Sequence, residues 1–351
     1  MGDASAGPKA LVMGVGSVKI KVGGWCLPSS SCLTASRPMS GLTSIWTVVV
    51  THNSEGVISG CLSSLGASSI ETKLVVVDNA SEDATVEIVE REFPSVLIVR
   101  ATNLGFAGGC NRGVGAAGEE AEAYFFLNPD AAVETSCLEK LSRSLCQDEK
   151  LAVVSPKVVH PIGGETEYAG AALDFNSLDF EVVVTEEAGR ENTAEVSETG
   201  RPAGAAMLVR RSSFEEVGPL DDSYFLYWEE CEWASRVHRN GLKVGYVPDA
   251  TVYHSLSHST GGEGSRIYEY YYTRNLLRLV ASVRGTSKLS TFVRLVPLFG
   301  RRLREIAYRR RFDLLATALR FDALGTIDFF LGRSGRRAGL PRDRMKTLAP
   351  E

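Results

Sequence analysis

From residue 45 onward, short apolar runs alternate with longer polar-patterned stretches. Ile45-Trp-Thr-Val-Val-Val-Thr51 is β-branched and apolar, which predicts a strand buried on both faces. A helical stretch follows to about Leu65, then a second buried strand at Leu74–Asp78. Ser81, with Glu82 and Asp83 behind it, suits a helix start and predicts a helix over 81–92. Val96–Arg100 reads as a third strand, Ala107–Ala117 as a Gly-rich helix, Ala123–Leu127 as a fourth strand and Glu134–Cys146 as a helix. Strands alternating with helices imply a mainly parallel sheet covered on both faces, joined by right-handed connections.

The later half is less regular. Leu151–Val159, Gly204–Arg210 and Leu242–Val247 read as strands, and the polar, acidic stretch Glu186–Arg201 as a mobile loop. Tyr224–His238 turns helical in its second part and ends at Asn240-Gly241. Ile267–Val283 predicts a helix, followed by two basic amphipathic helices near 289–311 and 312–331. Residues 1–43, rich in Gly, Ser, Ala and Pro, read as a disordered segment, or as sequence preceding a true start at Met39. The expected organisation is therefore 1–43, a catalytic domain over 44–283, and a basic helical region over 284–351.

Composition changes this picture in one place. The chain is 44% hydrophobic and 23% charged, ordinary for a globular protein, and its net charge of -5 gives no sign of nucleic-acid binding. However, Arg284 to Lys346 holds sixteen Lys/Arg against five Asp/Glu, so the positive charge is gathered at one end. Seven scattered cysteines, none in a CxxC pair, favour neither a zinc site nor a disulfide framework and suit a reducing cytoplasm. No run of 18 apolar residues predicts a membrane-spanning helix.

In an open parallel sheet, ligands bind beyond the carboxyl ends of the strands. Four polar clusters fall there: Thr51-His52-Asn53, Asp78-Asn79-Ala80-Ser81, Asn103-Leu-Gly105-Phe106 and Asn128-Pro129-Asp130. Asp78 has the chemistry to accept hydrogen bonds from a base or ribose, and equally to close a turn. Gly105, Gly108 and Gly109 either let backbone approach a ligand or let a helix pack on the sheet. Asn128-Pro129 marks a turn, and Asp130 behind it is a candidate for Mg²⁺ or Mn²⁺ bridging a diphosphate. Tyr227-Trp-Glu229-Glu230-Cys-Glu232-Trp233 sets three carboxylates among aromatics, as a solvated helix start or as a general base beside a substrate platform. His254 is either structural or a metal ligand completing the Asp130 site, while His52, His160, His238 and His258 have weaker cases.

Taken together, Val-Val-Val-Thr-His-Asn53, Val-Val-Asp78-Asn-Ala-Ser-Glu-Asp83, Asn103-Leu-Gly-Phe-Ala-Gly-Gly-Cys-Asn111 and Leu-Asn128-Pro-Asp130 resemble family 2 glycosyltransferases, the bacterial rhamnosyltransferase-like branch in particular. Later pieces agree over 45–280: Gly204-Ala205, Val217-Gly-Pro-Leu-Asp221, Phe225-Leu-Tyr-Trp-Glu-Glu-Cys-Glu-Trp233, His254 and Tyr272-Thr-Arg274-Asn275. The resemblance implies an α/β GT-A fold (Rossmann-like) with a C-terminal helical extension, and transfer with inversion at the sugar carbon. By it, Thr51, Asn53, Asp78, Asn103, Gly105, Phe106, Gly109, Asn111 and Asn128 hold the donor, Asp130 and His254 the cation, and Glu230 acts as base with Glu229 the alternative. Gly204, Ala205, Trp228 and Glu232 fall on the acceptor side. Glu230 and Glu232 replace the family's usual aspartates, which lengthens the base by a methylene.

The implied partners are a nucleotide-sugar donor, with thymidine-linked rhamnose the leading guess, and a glycan or lipid-linked acceptor in cell-surface polysaccharide synthesis. The basic 284–346 region suggests peripheral contact with the cytoplasmic face of a membrane, and a homo-oligomer is compatible with the sequence. A nicotinamide enzyme is disfavoured because Thr51-His-Asn-Ser-Glu-Gly56 replaces a GxGxxG turn. A sugar nucleotidyltransferase lacks its basic triphosphate loop here, and a degenerate, non-catalytic membrane-binding domain is the non-enzyme alternative.

Overall fold

A computed structural model describes residues 41–173, 196–255, 264–308 and 311–340. The N-terminal stretch 1–40, most of the acidic 186–201 stretch and His258 lie outside the described residues. The first half follows the sequence pattern: β1 (Ile45–Thr51), α1 (Ile58–Gly66), β2 (Lys73–Asp78), α2 (Thr85–Glu92), β3 (Leu97–Arg100), α3 (Gly105–Ala116) and β4 (Ala123–Leu127). These strands pair in parallel in the order β3-β2-β1-β4, with Thr51 beside Asp78 and Asp78 beside Arg100, so the strand ends share one edge. Helix α2 starts at Thr85, four residues later than Ser81 suggests. The reason is local: the Asp83 carboxylate accepts the Thr85 N–H (3.1 Å), and the Ser81 hydroxyl is taken by the Asn53 N–H (2.9 Å).

The second half departs from a purely parallel plan. After β5 (Ala131–Val133), α4 (Cys137–Gln147), β6 (Leu151–Val159), β7 (Thr166–Tyr168) and β8 (Ser197–Thr199), strand β9 (Ala206–Arg210) inserts antiparallel between β4 and β6. Then come α5 (Arg211–Val217), a 3₁₀ turn (Asp222–Tyr224), α6 (Glu229–Arg239) and β10 (Lys243–His254). Strand β10 runs seven residues beyond the predicted Val247. It survives Pro248 through a register shift between Val247 and Thr251, since proline donates no ladder hydrogen bond. Past that irregularity it pairs antiparallel with β5, His254 opposite Ala131. The short strands β5 and β7 and helix α5 are not signalled by the sequence pattern.

Alternation along each strand builds a core on both faces. Val49, Phe125 and Leu127 face α1 and α4 with Leu62, Leu138 and Leu141, whereas Val48, Val50 and Phe126 face α3, α5 and α6 with Cys110, Phe214 and Trp233. Emptying one such site, as in Phe125→Ala, costs about 3–5 kcal/mol. Three helices follow, α7 (Arg266–Arg284), α8 (Lys288–Tyr308) and α9 (Phe312–Phe330). Helix α9 crosses α7 so closely that a Cβ on Gly325 would lie 2.7 Å from the Tyr270 carbonyl oxygen. Buried polar links cross the same contact: the Tyr270 hydroxyl donates to Asp328 (2.6 Å) and the Thr273 hydroxyl to Asp322 (2.6 Å). Among the described residues, no helix is long and apolar enough to cross a membrane.

Candidate functional site

The carboxyl ends of β1 and β2 form one hydrogen-bonded unit. Asp78, buried, accepts from the Thr51 hydroxyl (3.3 Å) and from the Ser81 N–H (3.2 Å). Asn53 adopts a left-handed backbone (φ 55°), and its side-chain oxygen accepts the Glu82 N–H (2.8 Å). Asn79, which the sequence reading did not single out as a site residue, reaches the third cluster by donating to the Gly105 carbonyl (2.8 Å). Asn103 in turn accepts the Gly105 N–H (3.1 Å). Two expected donor residues are spent on structure. Gly109 is turned to the sheet, where a Cβ would meet Val50 at 2.4 Å. Asn111 both donates to the Leu220 carbonyl (2.8 Å) and accepts its N–H (3.1 Å).

After β4, Asn128-Pro129-Asp130 turns the chain into β5. His254 comes to it from the end of β10: its Nε2 lies 3.2 Å from the Asp130 carboxylate and 3.3 Å from the Asn128 amide nitrogen. Its Nδ1 lies 2.9 Å from Glu167, a residue of β7 that no sequence pattern marks. Burial alone would lower the His254 pKa, but Asp130 and Glu167 overcome it and raise it to about 9. Two carboxylates thus enclose one imidazole in a buried spot, and the second Glu167 oxygen is buried without a hydrogen-bond partner. A protonated His254 satisfies both carboxylates, and a divalent cation is the other group this donor set could take. An imidazole whose other nitrogen is held by a carboxylate is a usual divalent-metal ligand, with Asp130 supplying the hard oxygen. Among the described residues no group of three His, Cys, Asp or Glu side chains is arranged to hold a metal.

The segment Gly204-Ala205 joins this corner to α6. The Asn128 N–H donates to the Ala205 carbonyl (2.9 Å), and a Cβ on Gly204 would lie 3.7 Å from the Glu230 carboxyl carbon. Glu230 also lies 3.8 Å from the Arg201 guanidinium, which stacks over Tyr168; Arg201 too was missed. Its neighbour Glu229 differs. It is buried, one of its oxygens has no hydrogen-bond partner, and burial followed by the charge of Glu230 pushes its pKa well above the carboxylate range. Burial disfavours the charged form that a base needs at Glu229, which favours Glu230 in that role.

Glu232 and Trp228 both have structural partners. Glu232 is buried in a forked pair with Arg236 (2.9 Å), whose guanidinium also caps the Val217 and Pro219 carbonyls. Trp228 is buried against α7, its indole N–H donating to the Tyr272 carbonyl (3.1 Å) and its ring 5.0 Å from that of Tyr272. Neither is presented as a substrate platform. The loop before α6 is strained: Phe225 (φ 69°), Tyr227 (φ 66°) and Trp228 (φ 73°) all take left-handed backbones, each at a cost of about 1–3 kcal/mol.

The sequence model of glycosyl transferase family 2 matches residues 46–218. A relative from Mycobacterium tuberculosis, N-acetylglucosaminyl-diphospho-decaprenol L-rhamnosyltransferase, is 27% identical over 235 residues, 61% of this chain and 76% of its own. The low-salt glycan biosynthesis hexosyltransferase Agl10 of Haloferax volcanii is 24% identical over 66% of this chain and 72% of its own. The crystal structure of GalNAc-T7 with UDP, GalNAc and Mn²⁺ superposes with a TM-score of 0.53 at 19% identity, over 70% of this chain and 52% of that one. This chain therefore spans about half of that solved protein, and the likeness is one of fold.

Proposed function

The chain belongs to glycosyl transferase family 2 through residues 46–218, and from that premise we propose that it moves a sugar from a nucleoside diphosphate to a hydroxyl of a lipid-linked or glycan acceptor, with inversion. One observation carries the reading: Glu230 and the Asn128–Asp130 corner flank the same Gly204-Ala205 segment. The strand-end groups Thr51, Asp78 and Asn103 orient the nucleoside side of the donor. Asp130 and His254 hold a divalent cation, Mg²⁺ or Mn²⁺, which when bound neutralises charge on the leaving diphosphate. Glu230 takes the proton of the acceptor hydroxyl as its oxygen bonds to the anomeric carbon. The bond from that carbon to the diphosphate oxygen breaks on the opposite face, and the nucleoside diphosphate leaves with the electron pair. Rhamnose is the sugar we assign, on the name of the mycobacterial relative, with thymidine diphosphate as carrier by family resemblance. That relative's name also supports a diphospho-lipid acceptor.

The test is a panel of nucleotide sugars, with and without Mn²⁺, on wild-type protein and Asp130→Ala. Turnover of one donor that needs the cation and is lost in Asp130→Ala is expected. Equal turnover by the folded variant would remove Asp130 from the reaction.

We further propose that α8 and α9 rest on an anionic membrane surface. Leu289, Val293 and Val296 of α8 and Phe312, Leu319, Ile327 and Phe330 of α9 are exposed along single helix faces, Leu289 at 65% and Ile327 at 53%. Arg294, Arg301, Arg304 and Arg320 are exposed beside them. Two acids of the pair turn inward: Asp322 faces Thr273 and Arg302, and Asp328 faces Arg333 and Arg337. The exposed residues named above are apolar and cationic. A second copy meeting this face would oppose like charges, whereas anionic lipid complements it. Flotation with phosphatidylglycerol vesicles is expected for wild type and reduced for Leu319→Asp/Ile327→Asp. Unchanged flotation, or self-association through this face in sedimentation, would overturn the reading.

A further inference from the structure

The strained loop 225–228 lies between two parts of the site. On one side its Phe225 carbonyl accepts the Phe106 N–H (2.8 Å). Gly105 (φ 74°) fits flush against it, since a Cβ there would lie 2.1 Å from that same oxygen. On the other side the loop runs straight into α6, whose second residue is Glu230. The loop therefore sets both the donor-side segment at 105–106 and the start of the base helix.

What holds the loop comes from α7. Asn275, fully buried, directs its two side-chain N–H hydrogens at the loop carbonyls of Leu226 (2.6 Å) and Tyr227 (3.1 Å) and at that of Tyr224 (2.8 Å) just before the loop. Its oxygen accepts from Arg274 Nε (2.9 Å), which fixes which end of the amide faces the loop. Arg274 adds its own bond to the Tyr224 carbonyl (2.9 Å), and Arg278 donates to the Ser223 carbonyl (2.8 Å). A left-handed loop of non-glycine residues persists only where its surroundings over-determine it. Here that constraint converges on one amide.

We infer that Asn275 is a positioning residue: it holds loop 225–228 in its left-handed form and so keeps Glu230 in register with the donor segment at Gly105-Phe106. The inference rests on Glu230 being the base. It assigns to α7 a part in the reaction without contact to any substrate. Asp in place of Asn keeps the shape but sets a carboxyl against these carbonyl oxygens, so it removes the clamp and adds a buried charge, which Asn275→Ser does not.

The experiment measures transfer kinetics and nucleoside diphosphate binding in the full chain for wild type, Asn275→Asp, Asn275→Ser, Glu230→Gln and Asn275→Asp/Glu230→Gln. Asn275→Asp is expected to lower kcat by about tenfold to a hundredfold, the size of effect that a displaced reacting group produces. Binding of the nucleoside diphosphate, held by Thr51 and Asp78 at strand ends away from the loop, falls less than kcat. The double variant is no slower than Glu230→Gln alone, because both changes act through one group. A purely structural role would lower the melting temperature and leave kcat per folded molecule alone. Wild-type kcat in Asn275→Asp, or losses that multiply in the double variant, overturn the inference while Glu230 stands. Full activity in Glu230→Gln instead overturns the base assignment and the inference with it. Should Asn275→Asp not fold, Asn275→Ser, which retains one donor, is read by the same criteria.

Discussion

In the parallel half of the sheet, polar residues at the strand ends bind partners on the adjoining strand or turn, as Thr51 binds Asp78, Asn53 binds Glu82 and Asn79 binds Gly105. In the mixed half, the reacting groups are held from far along the chain: His254 by Glu167 and Asp130, and the loop before Glu230 by Asn275. A nucleoside diphosphate needs only a fixed frame, and adjacent strands supply one. A proton acceptor and a cation ligand must meet a moving acceptor and a leaving group, and their placement draws on elements that the sheet brings together last. On the roles proposed above, binding and turnover are separable by region.

The sharpest way to test that separation is Glu230→Gln. It is expected to cut kcat by about a hundredfold to ten-thousandfold with donor KM and melting temperature unchanged; a KM effect of similar size would merge the two regions. Next, Glu167→Gln is expected to weaken the apparent affinity for Mn²⁺ by about 10–100-fold, read from activity against cation concentration, and to be rescued by excess cation. Asp78→Asn, on the parallel side, should raise donor KM by about tenfold, as for one charged hydrogen bond, and leave kcat alone in initial-rate measurements. The smallest effect concerns stability. Glu229 has a folded-state pKa raised above its ordinary 4.5, so the folded state holds a proton that the unfolded chain gives up as pH rises. Stability is lost above pH 4.5 by up to about 1.4 kcal/mol per pH unit until the folded-state pKa is reached. Glu229→Gln removes that loss, so its melting temperature should exceed wild type at pH 7 and the difference should shrink toward pH 4.5.

The same division governs what the sequence made legible. Asp78 and Asp130 stand out because each ends an apolar β-branched or aromatic run, and a strand end in such a sheet is where ligands go. Glu167 and Asn275 carry no such mark: Glu167 sits in a three-residue strand, and the partners of both lie many tens of residues away. Glu232 misled for the converse reason, its composition matching an acidic cluster while Arg236, one turn on, had already claimed it. Gly109 and Asn111, placed at the donor by resemblance, also serve the tight seating of α3 on β1 and the anchoring of Leu220. Strand β10 outran its predicted end because pairing with β6, after a register shift, and with β5 carries it past Pro248.

That last pairing has a consequence for the order of assembly. Asp130 emerges early during synthesis, but its imidazole partner follows 124 residues later, at the far end of β10. Strands β1–β4 are contiguous in the chain, whereas the corner that takes the cation closes only after the longest-range strand pairing in the sheet. A refolding chain should therefore acquire protection in its first four strands before it acquires any response to Mn²⁺, and pulse-labelled hydrogen exchange with and without the ion would time the two events.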